Sequence, residues 1–377
     1  MPETKTPSSL ILLAAGGTGG HLFPAEALGV ALMKHGFRVR LVTDARALRY
    51  RGMFTEDMLD VVPSATIRGR SPWALAKTGV TLAAGLAVAV GLIRRLRPAA
   101  VVGFGGYPTL PPLMAARLFG VPTLIHEANA VMGRANRFLS SRVDAIATSL
   151  PGVLDRDPAL AAKVTVTGMP MRPAILAAAV VPFAAPEPGG LLRLLVVGGS
   201  QGARVMSDIM PPAIERLAPA IRQRLMLTQQ VRDEDMARVR AVYDRLGINA
   251  ELAPFFSDLP ARLASNHLVI SRSGAGTVAE LAAIGRPSIL VPLPGSLDQD
   301  QFANAGVLSD AGGAIRIVQA DFTPERVAQE ITAFAEEPAR LSTMAGTARR
   351  IGRLDAAERL ADIVMKVAQA GPRPETT

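Results

Sequence analysis

The sequence predicts an α/β protein with two doubly wound parallel sheets, one in each of two domains. Apolar runs of strand length alternate with longer stretches of helical periodicity along the 377 residues. The runs are continuous aliphatics rather than in-out alternations, the pattern of strands buried on both faces. One Pro/Ala/Gly-rich stretch, 173-PAILAAAVVPFAAPEPGG-190, interrupts the alternation, and a strand-glycine-helix unit begins again at 192-LRLLVVGGSQGARVMSDIM-210. A chain of this length can bury two sizeable cores. Residues 8–172 are therefore expected to form one domain, 173–190 a linker and 191–350 a second domain.

In chain order, the first domain is expected to open with a strand at Leu10–Ala15, an aliphatic run that ends on glycines and leads into a helix. Further aliphatic segments predict strands at Val39–Thr43, Ala99–Val102, Thr123–His126, Ala145–Thr148 and Val164–Thr167. The second domain repeats this architecture without repeating the sequence, with strands at Leu192–Val197, Leu225–Thr228, Leu268–Ser271 and Ser288–Val291. Ligands of such sheets bind at the carboxyl ends of the strands, and paired domains offer a cleft between those ends.

Composition narrows the function. Apolar residues make up 49% and charged residues 19%, as in soluble globular proteins. Cysteine is absent, which excludes a disulfide framework or thiolate metal site and suits a reducing cytoplasm. The apolar run Leu10–Ala15 is shorter than a signal-peptide core, so the protein is expected to stay where it is made. A net charge of +9 favours an anionic partner: nucleic acid, phospholipid or a phosphorylated substrate. With aromatics at 4% and no basic run resembling a DNA-reading arm, no nucleic-acid partner is expected.

Four glycine loops follow strands in the same way: 16-GGTGGH-21, 103-GFGGY-107, 198-GGSQGA-203 and 271-SRSGAGTVAE-280. Glycine lets the backbone approach a ligand, and the helix behind the loop turns amides and a partial positive charge towards an anion. One such loop is only a tight turn; four at the same topological place in two domains point to a phosphorylated ligand. The dinucleotide pattern G-x-G-x-x-G starts at Gly17 and Gly19 but fails at Leu22, and there is no G-x-x-x-x-G-K-[ST]. In the fourth loop, Thr277 and Glu280 have capping-box spacing. The alternative is that Glu280 accepts the two hydroxyls of a ribose, and both readings stand at this point.

In order along the chain, GGTGGHLFPA, GFGGYPTLPP, HEANAVMGRANR, GMPMR, VVGGSQGAR, SRSGAGTVAE and DQDQFANA resemble the MurG family. These are the UDP-N-acetylglucosamine:lipid I N-acetylglucosaminyltransferases of bacterial peptidoglycan synthesis, on which cell shape and division depend. The resemblance implies a GT-B architecture with an interdomain cleft, and a final helix over 354–370 packing back on the first domain. It implies UDP-GlcNAc as donor, lipid I as acceptor, other cell-wall synthesis proteins as partners, and no cofactor. Phe256 would offer its backbone to uracil and Glu280 would bind the ribose. Ser200 and Arg172 would face the diphosphate; Ala275, Gly276 and Thr277 would line the nucleotide site; Gln301 would contact the GlcNAc. Thr18, Gly19, Gly20 and Asn129 would complete the donor contacts, and Gly103, Gly105 and Gly106 would form an acceptor diphosphate loop. His21, Tyr107, His126 and Glu127 match family residues that affect activity. The chain departs from the family at Ser207, at Thr228–Val231, and at Met169, where the family usually carries Asn.

The implied chemistry is displacement at the anomeric carbon with inversion. It needs a base, His21 or Glu127, and positive potential for the leaving diphosphate, which the loop amides, helix N-termini and Arg172 supply. No metal is expected: the D-x-D at 298–300 belongs with a single-sheet fold, and 126-HEANA-130 lacks the second histidine of a zinc motif. A lipid-linked acceptor calls for a membrane surface. From Val61 to Pro98 the chain carries six basic residues and no acidic one, around an uncharged run at 79–93. As a helix that run is about 22 Å long against a hydrocarbon core of about 30 Å, so it is expected to lie at the surface. Trp73 and Leu75 would dip in while Lys77, Arg94 and Arg95 meet anionic headgroups, at the cytoplasmic face of the inner membrane. The competing readings are a GT-B enzyme with a soluble acceptor, a UDP-GlcNAc 2-epimerase, and a nucleotide-binding scaffold.

Overall fold

The computed structural model describes residues 9–45, 52–64, 72–155, 157–199, 202–296 and 299–370, with the backbone alone for 72–77. The chain divides into two compact units, one of Met1–Arg172 with Leu354–Thr377 and one of Pro173–Arg353.

The first unit is built on seven parallel strands: β1 (Leu10–Ala14), β2 (Arg38–Thr43), β3 (Leu59–Val61), β4 (Ala100–Gly103), β5 (Thr123–Glu127), β6 (Ala145–Thr148) and β7 (Val164–Val166). Their order across the sheet is β3-β2-β1-β4-β5-β6-β7. The second unit holds β8 (Leu192–Val197), β9 (Leu225–Gln230), β10 (Asn249–Ala253), β11 (Leu268–Ser271), β12 (Ser288–Leu290) and β13 (Ala314–Arg316). These are also parallel, in the order β10-β9-β8-β11-β12-β13. In each sheet the first strand of the chain lies centrally and the fourth pairs on its other side. The order therefore reverses between β1 and β4 and between β8 and β11, the two places where such sheets bind ligands. All four glycine loops leave these four strands at their carboxyl ends.

Alternate residues of β1 serve the two faces of its sheet. Ile11 and Leu13 join the core under the helix Gly19–Lys34, and Leu12 and Ala14 join the core on the other side. The helix Ala356–Gln369 places Leu360, Ala361 and Val364, all fully buried, in the first of these cores. It packs on the helix Gly19–Lys34 and on β4 and β5.

Three features differ from expectation. No aliphatic run predicts the strands β3, β10 and β13; each is an edge strand of short or polar sequence, LDV, NAELA and AIR. The stretch 173–190 is not a bare linker, because Pro173–Ala179 forms a helix that packs on the helices Leu259–Ser265 and Ala275–Ile284. The apolar run at 79–93 belongs to a helix of 25 residues, Pro72–Leu96, about 38 Å long at a rise of about 1.5 Å per residue.

The length comparison against a bilayer is therefore overturned. The stretch Thr78–Leu96, with a mean hydropathy of 1.6, is long and apolar enough to cross a membrane. What places this helix is packing. Ala89, Leu92 and Ile93 enter the core beside Val101, Leu113 and Ile125, and a side chain at Gly85 would collide with the Pro63 carbonyl. Its opposite face is apolar and exposed, with Val80 at 71% and Val88 at 47%.

Candidate active site

In the first unit, Thr18 is the N-cap of the helix Gly19–Lys34 and makes no side-chain capping hydrogen bond. Gly19, Gly20 and His21 form its first turn, and the His21 amide donates to the Thr18 carbonyl at 3.0 Å. The half-buried imidazole of His21 lies against Gly105 and Gly106, whose φ values of 89° and 79° suit glycine. A Cβ on Gly105 would come within 3.3 Å of His21 Nδ1. Burial pushes the His21 pKa down, with Glu127 and the Phe104 carbonyl opposing the shift.

Glu127 ends β5 and is 2% exposed. Its Oε1 accepts from the Asn129 amide at 2.9 Å and Asn129 Nδ2 at 3.1 Å; its Oε2 accepts from the Gly133 amide at 3.0 Å and Asn136 Nδ2 at 2.9 Å. Four donors thus hold one carboxylate, which folds the loop after β5 around it. His126 is fully buried. Its Nε2 lies 3.1 Å from the Gly168 carbonyl, an acceptor only, so this nitrogen carries the proton. Burial lowers its pKa from 6.5 to about 4. This hydrogen bond ties His126 to the GMPMR segment. Tyr107 begins the short turn Tyr107–Thr109 and is half-buried. Arg172 closes the GMPMR segment with its guanidinium carbon 3.7 Å from the centroid of the Phe23 ring.

In the second unit, Gly198 has no room for a side chain, because a Cβ would collide with the Ala203 amide. Gln230 ties this loop to the next one: its Oε1 accepts from the Gly198 amide at 2.9 Å and its Nε2 donates to the Pro254 carbonyl at 3.1 Å. Ser200 lies outside the described residues. Phe256 is buried, under the Arg262 guanidinium at 4.3 Å.

The fourth loop excludes one of the two sequence readings. Gly274, not Thr277, is the N-cap of the helix Ala275–Ile284, so Thr277 and Glu280 are not a capping box. Ala275, Gly276 and Thr277 are instead the first turn, and Glu280 stands one turn further in, partly exposed. The helix Asp300–Ser309 is joined to this loop through Ser273, whose hydroxyl donates to the Gln301 carbonyl at 2.8 Å. The Gln301 side-chain carbonyl accepts from the Leu293 amide at 3.0 Å. Among the described residues, no three His, Cys, Asp or Glu side chains gather as a metal site.

Residues 11–148 match the model of the glycosyltransferase family 28 N-terminal domain, and residues 193–362 that of the glycosyltransferase family 28 C-terminal domain. The chain is 77% identical over 366 residues to a Nitrobacter winogradskyi protein, a match covering 97% of this chain and 100% of that one. That protein is named UDP-N-acetylglucosamine--N-acetylmuramyl-(pentapeptide) pyrophosphoryl-undecaprenol N-acetylglucosamine transferase. The chain belongs to the MurG family.

The crystal structure of Acinetobacter baumannii MurG superposes with a TM-score of 0.76 at 29% identity, covering 96% of this chain and 100% of that one. A UDP-GlcNAc 2-epimerase from Neisseria meningitidis reaches a TM-score of 0.67 at 13% identity, covering 95% and 100%, which is likeness of fold alone. Within this MurG-family chain, Asn136, Gln230 and Phe23 hold the site together without standing out in the sequence. Asn136 stands in the motif HEANAVMGRANR, and Gln230 in the stretch where the chain departs from the family. Nothing in their spacing distinguishes a side chain that holds a loop from one that faces solvent.

Proposed function

We propose that this chain transfers GlcNAc from UDP-GlcNAc to the 4-hydroxyl of the muramyl sugar of undecaprenyl-pyrophosphoryl-MurNAc-pentapeptide, lipid I, releasing UDP and forming lipid II. The single observation that carries this is near full-length identity of 77% to a transferase of that name. The sugar oxygen bonds to the anomeric carbon from the face opposite the departing diphosphate, so configuration inverts. The hydroxyl proton passes to a base, and the bond to the diphosphate oxygen breaks.

The donor is read onto the second unit: the loop after β8 and the first turn Ala275–Thr277 at the diphosphate, Glu280 at the ribose, the Phe256 backbone at uracil and Gln301 at GlcNAc. On the first unit, Thr18, Gly19, Gly20 and Arg172 supply donors and positive charge to the diphosphate, and Gly103, Gly105 and Gly106 serve that of the acceptor. His21 is the base. In support, its burial favours the neutral imidazole that a base requires, while both oxygens of Glu127 are engaged by backbone and amide donors. Glu127 and Asn129 then shape the loop beside it. The acceptor is met at the cytoplasmic surface of the inner membrane by the exposed apolar face of the helix Pro72–Leu96. Exposed Arg94 stands at the end of that helix, while Arg95 pairs with Asp60 at 3.1 Å.

Radiolabelled UDP-GlcNAc supplied with a lipid I analogue should give lipid-linked disaccharide. Epimerised sugar nucleotide without transfer, or transfer to soluble acceptors only, would refute the assignment.

A further inference from the structure

The geometry points to Phe23 as the residue that positions Arg172 for the diphosphate, an inference that rests on the proposed function. Gly19 and Phe23 are four residues apart on one helix, so they lie on the same face in adjacent turns. The ring of Phe23 folds back onto Gly19: a Cβ at that position would come within 2.8 Å of Phe23 Cε2. The same ring carries Arg172, whose guanidinium carbon is 3.7 Å from the ring centroid. Gly19 and the Arg172 guanidinium thus both lie against one ring at the first turn of the helix. Arg172 reaches this place from the far end of the sheet, after β7, although 149 residues separate it from Phe23 in the sequence.

This arrangement accounts for two things. Gly19 is needed because any larger residue would displace the ring, and the ring is needed because an arginine side chain must lose its rotamer freedom to hold one geometry. A guanidinium resting on an aromatic face uses no N–H donor in that contact, so its in-plane donors can serve phosphate oxygens. The backbone of the same segment is fixed independently, by the hydrogen bond from His126 to Gly168. Phe23 therefore fixes the side chain and His126 the main chain.

The test is a double-mutant cycle on the full chain, reading kcat/KM for UDP-GlcNAc with a lipid I analogue. Phe23→Met keeps the apolar volume and removes the ring; it should lower kcat/KM about tenfold, the size of a partly desolvated cation–π contact. Phe23→Tyr keeps the ring and should stay within about twofold. In the Arg172→Ala background, Phe23→Met should cost less than about twofold, because the two side chains act as one. A full loss in that background, or a Phe23→Tyr variant as poor as Phe23→Met, would overturn the inference and leave Arg172 at the diphosphate. An Arg172→Ala variant with wild-type kinetics would overturn both. Thermal midpoints separate the reading from simple misfolding: Phe23→Met should lose activity at an unchanged midpoint, and a loss that tracks the midpoint counts against it.

Discussion

At the scale of single residues, the question is which of two neighbouring groups takes the proton. A base must be deprotonated to act, so the rate should fall on the acid side of the His21 pKa, which burial holds below its ordinary 6.5. His21→Ala should remove that acidic limb and lower kcat by about 10²–10⁴-fold, the usual contribution of a general base. Glu127→Gln should keep the limb and move it to lower pH, because the carboxylate raises the His21 pKa and the amide cannot. Measured pH–rate profiles decide: a limb that disappears in Glu127→Gln and persists in His21→Ala reverses the roles. A separate acid sensitivity belongs to His126. Its pKa falls from 6.5 to about 4 on folding, so the unfolded chain takes up the proton first. Stability should therefore drop as pH falls from about 6.5 towards 4, and His126→Asn should flatten that drop in thermal unfolding curves.

At the scale of elements, what the sequence made legible followed from burial. The ten continuous aliphatic runs are strands, most of them covered on both faces of a parallel sheet, whereas β3, β10 and β13 read LDV, NAELA and AIR and offer no aliphatic run. The same limit hid the start of the helix at Ala275: Thr277 has a capping residue's chemistry, but Gly274 takes the cap. The glycine loops were readable as a set, and the side chains that hold them in place were not, since Gln230 and Asn136 act across 32 and 9 residues of sequence. The helix Pro72–Leu96 shows how packing outweighs composition. Its composition suits a bilayer, yet one face is core and the other is open. If the open face seats on anionic phospholipid, Val88→Glu should weaken binding to phosphatidylglycerol vesicles. Added salt should weaken it further, since each basic residue near such a surface contributes about 1 kcal/mol. Salt-independent binding would contradict the electrostatic part, and undiminished binding by Val88→Glu would remove this helix from the contact.

At the scale of the whole molecule, the two units repeat one strand order, with the switch points carrying the glycine loops in both. The repetition was visible as alternation and interruption, but the membership of the final helix was not visible in composition or periodicity and came only from resemblance. Leu360, Ala361 and Val364 are as apolar as residues of any second-unit helix, and they follow that unit directly in the sequence. Their burial beside Ile11, Leu13 and Val102 assigns them to the first sheet. The consequence can be tested residue by residue. Leu360→Ala removes a fully buried side chain and should cost about 2–5 kcal/mol. That loss should fall on the unit whose core it leaves. Hydrogen exchange should therefore accelerate at the amides of β1, β4 and β5, while β8 and β11 keep their protection. Faster exchange confined to β8–β13 would mean that the helix stabilises the unit it follows in sequence and not the one in whose core its side chains lie.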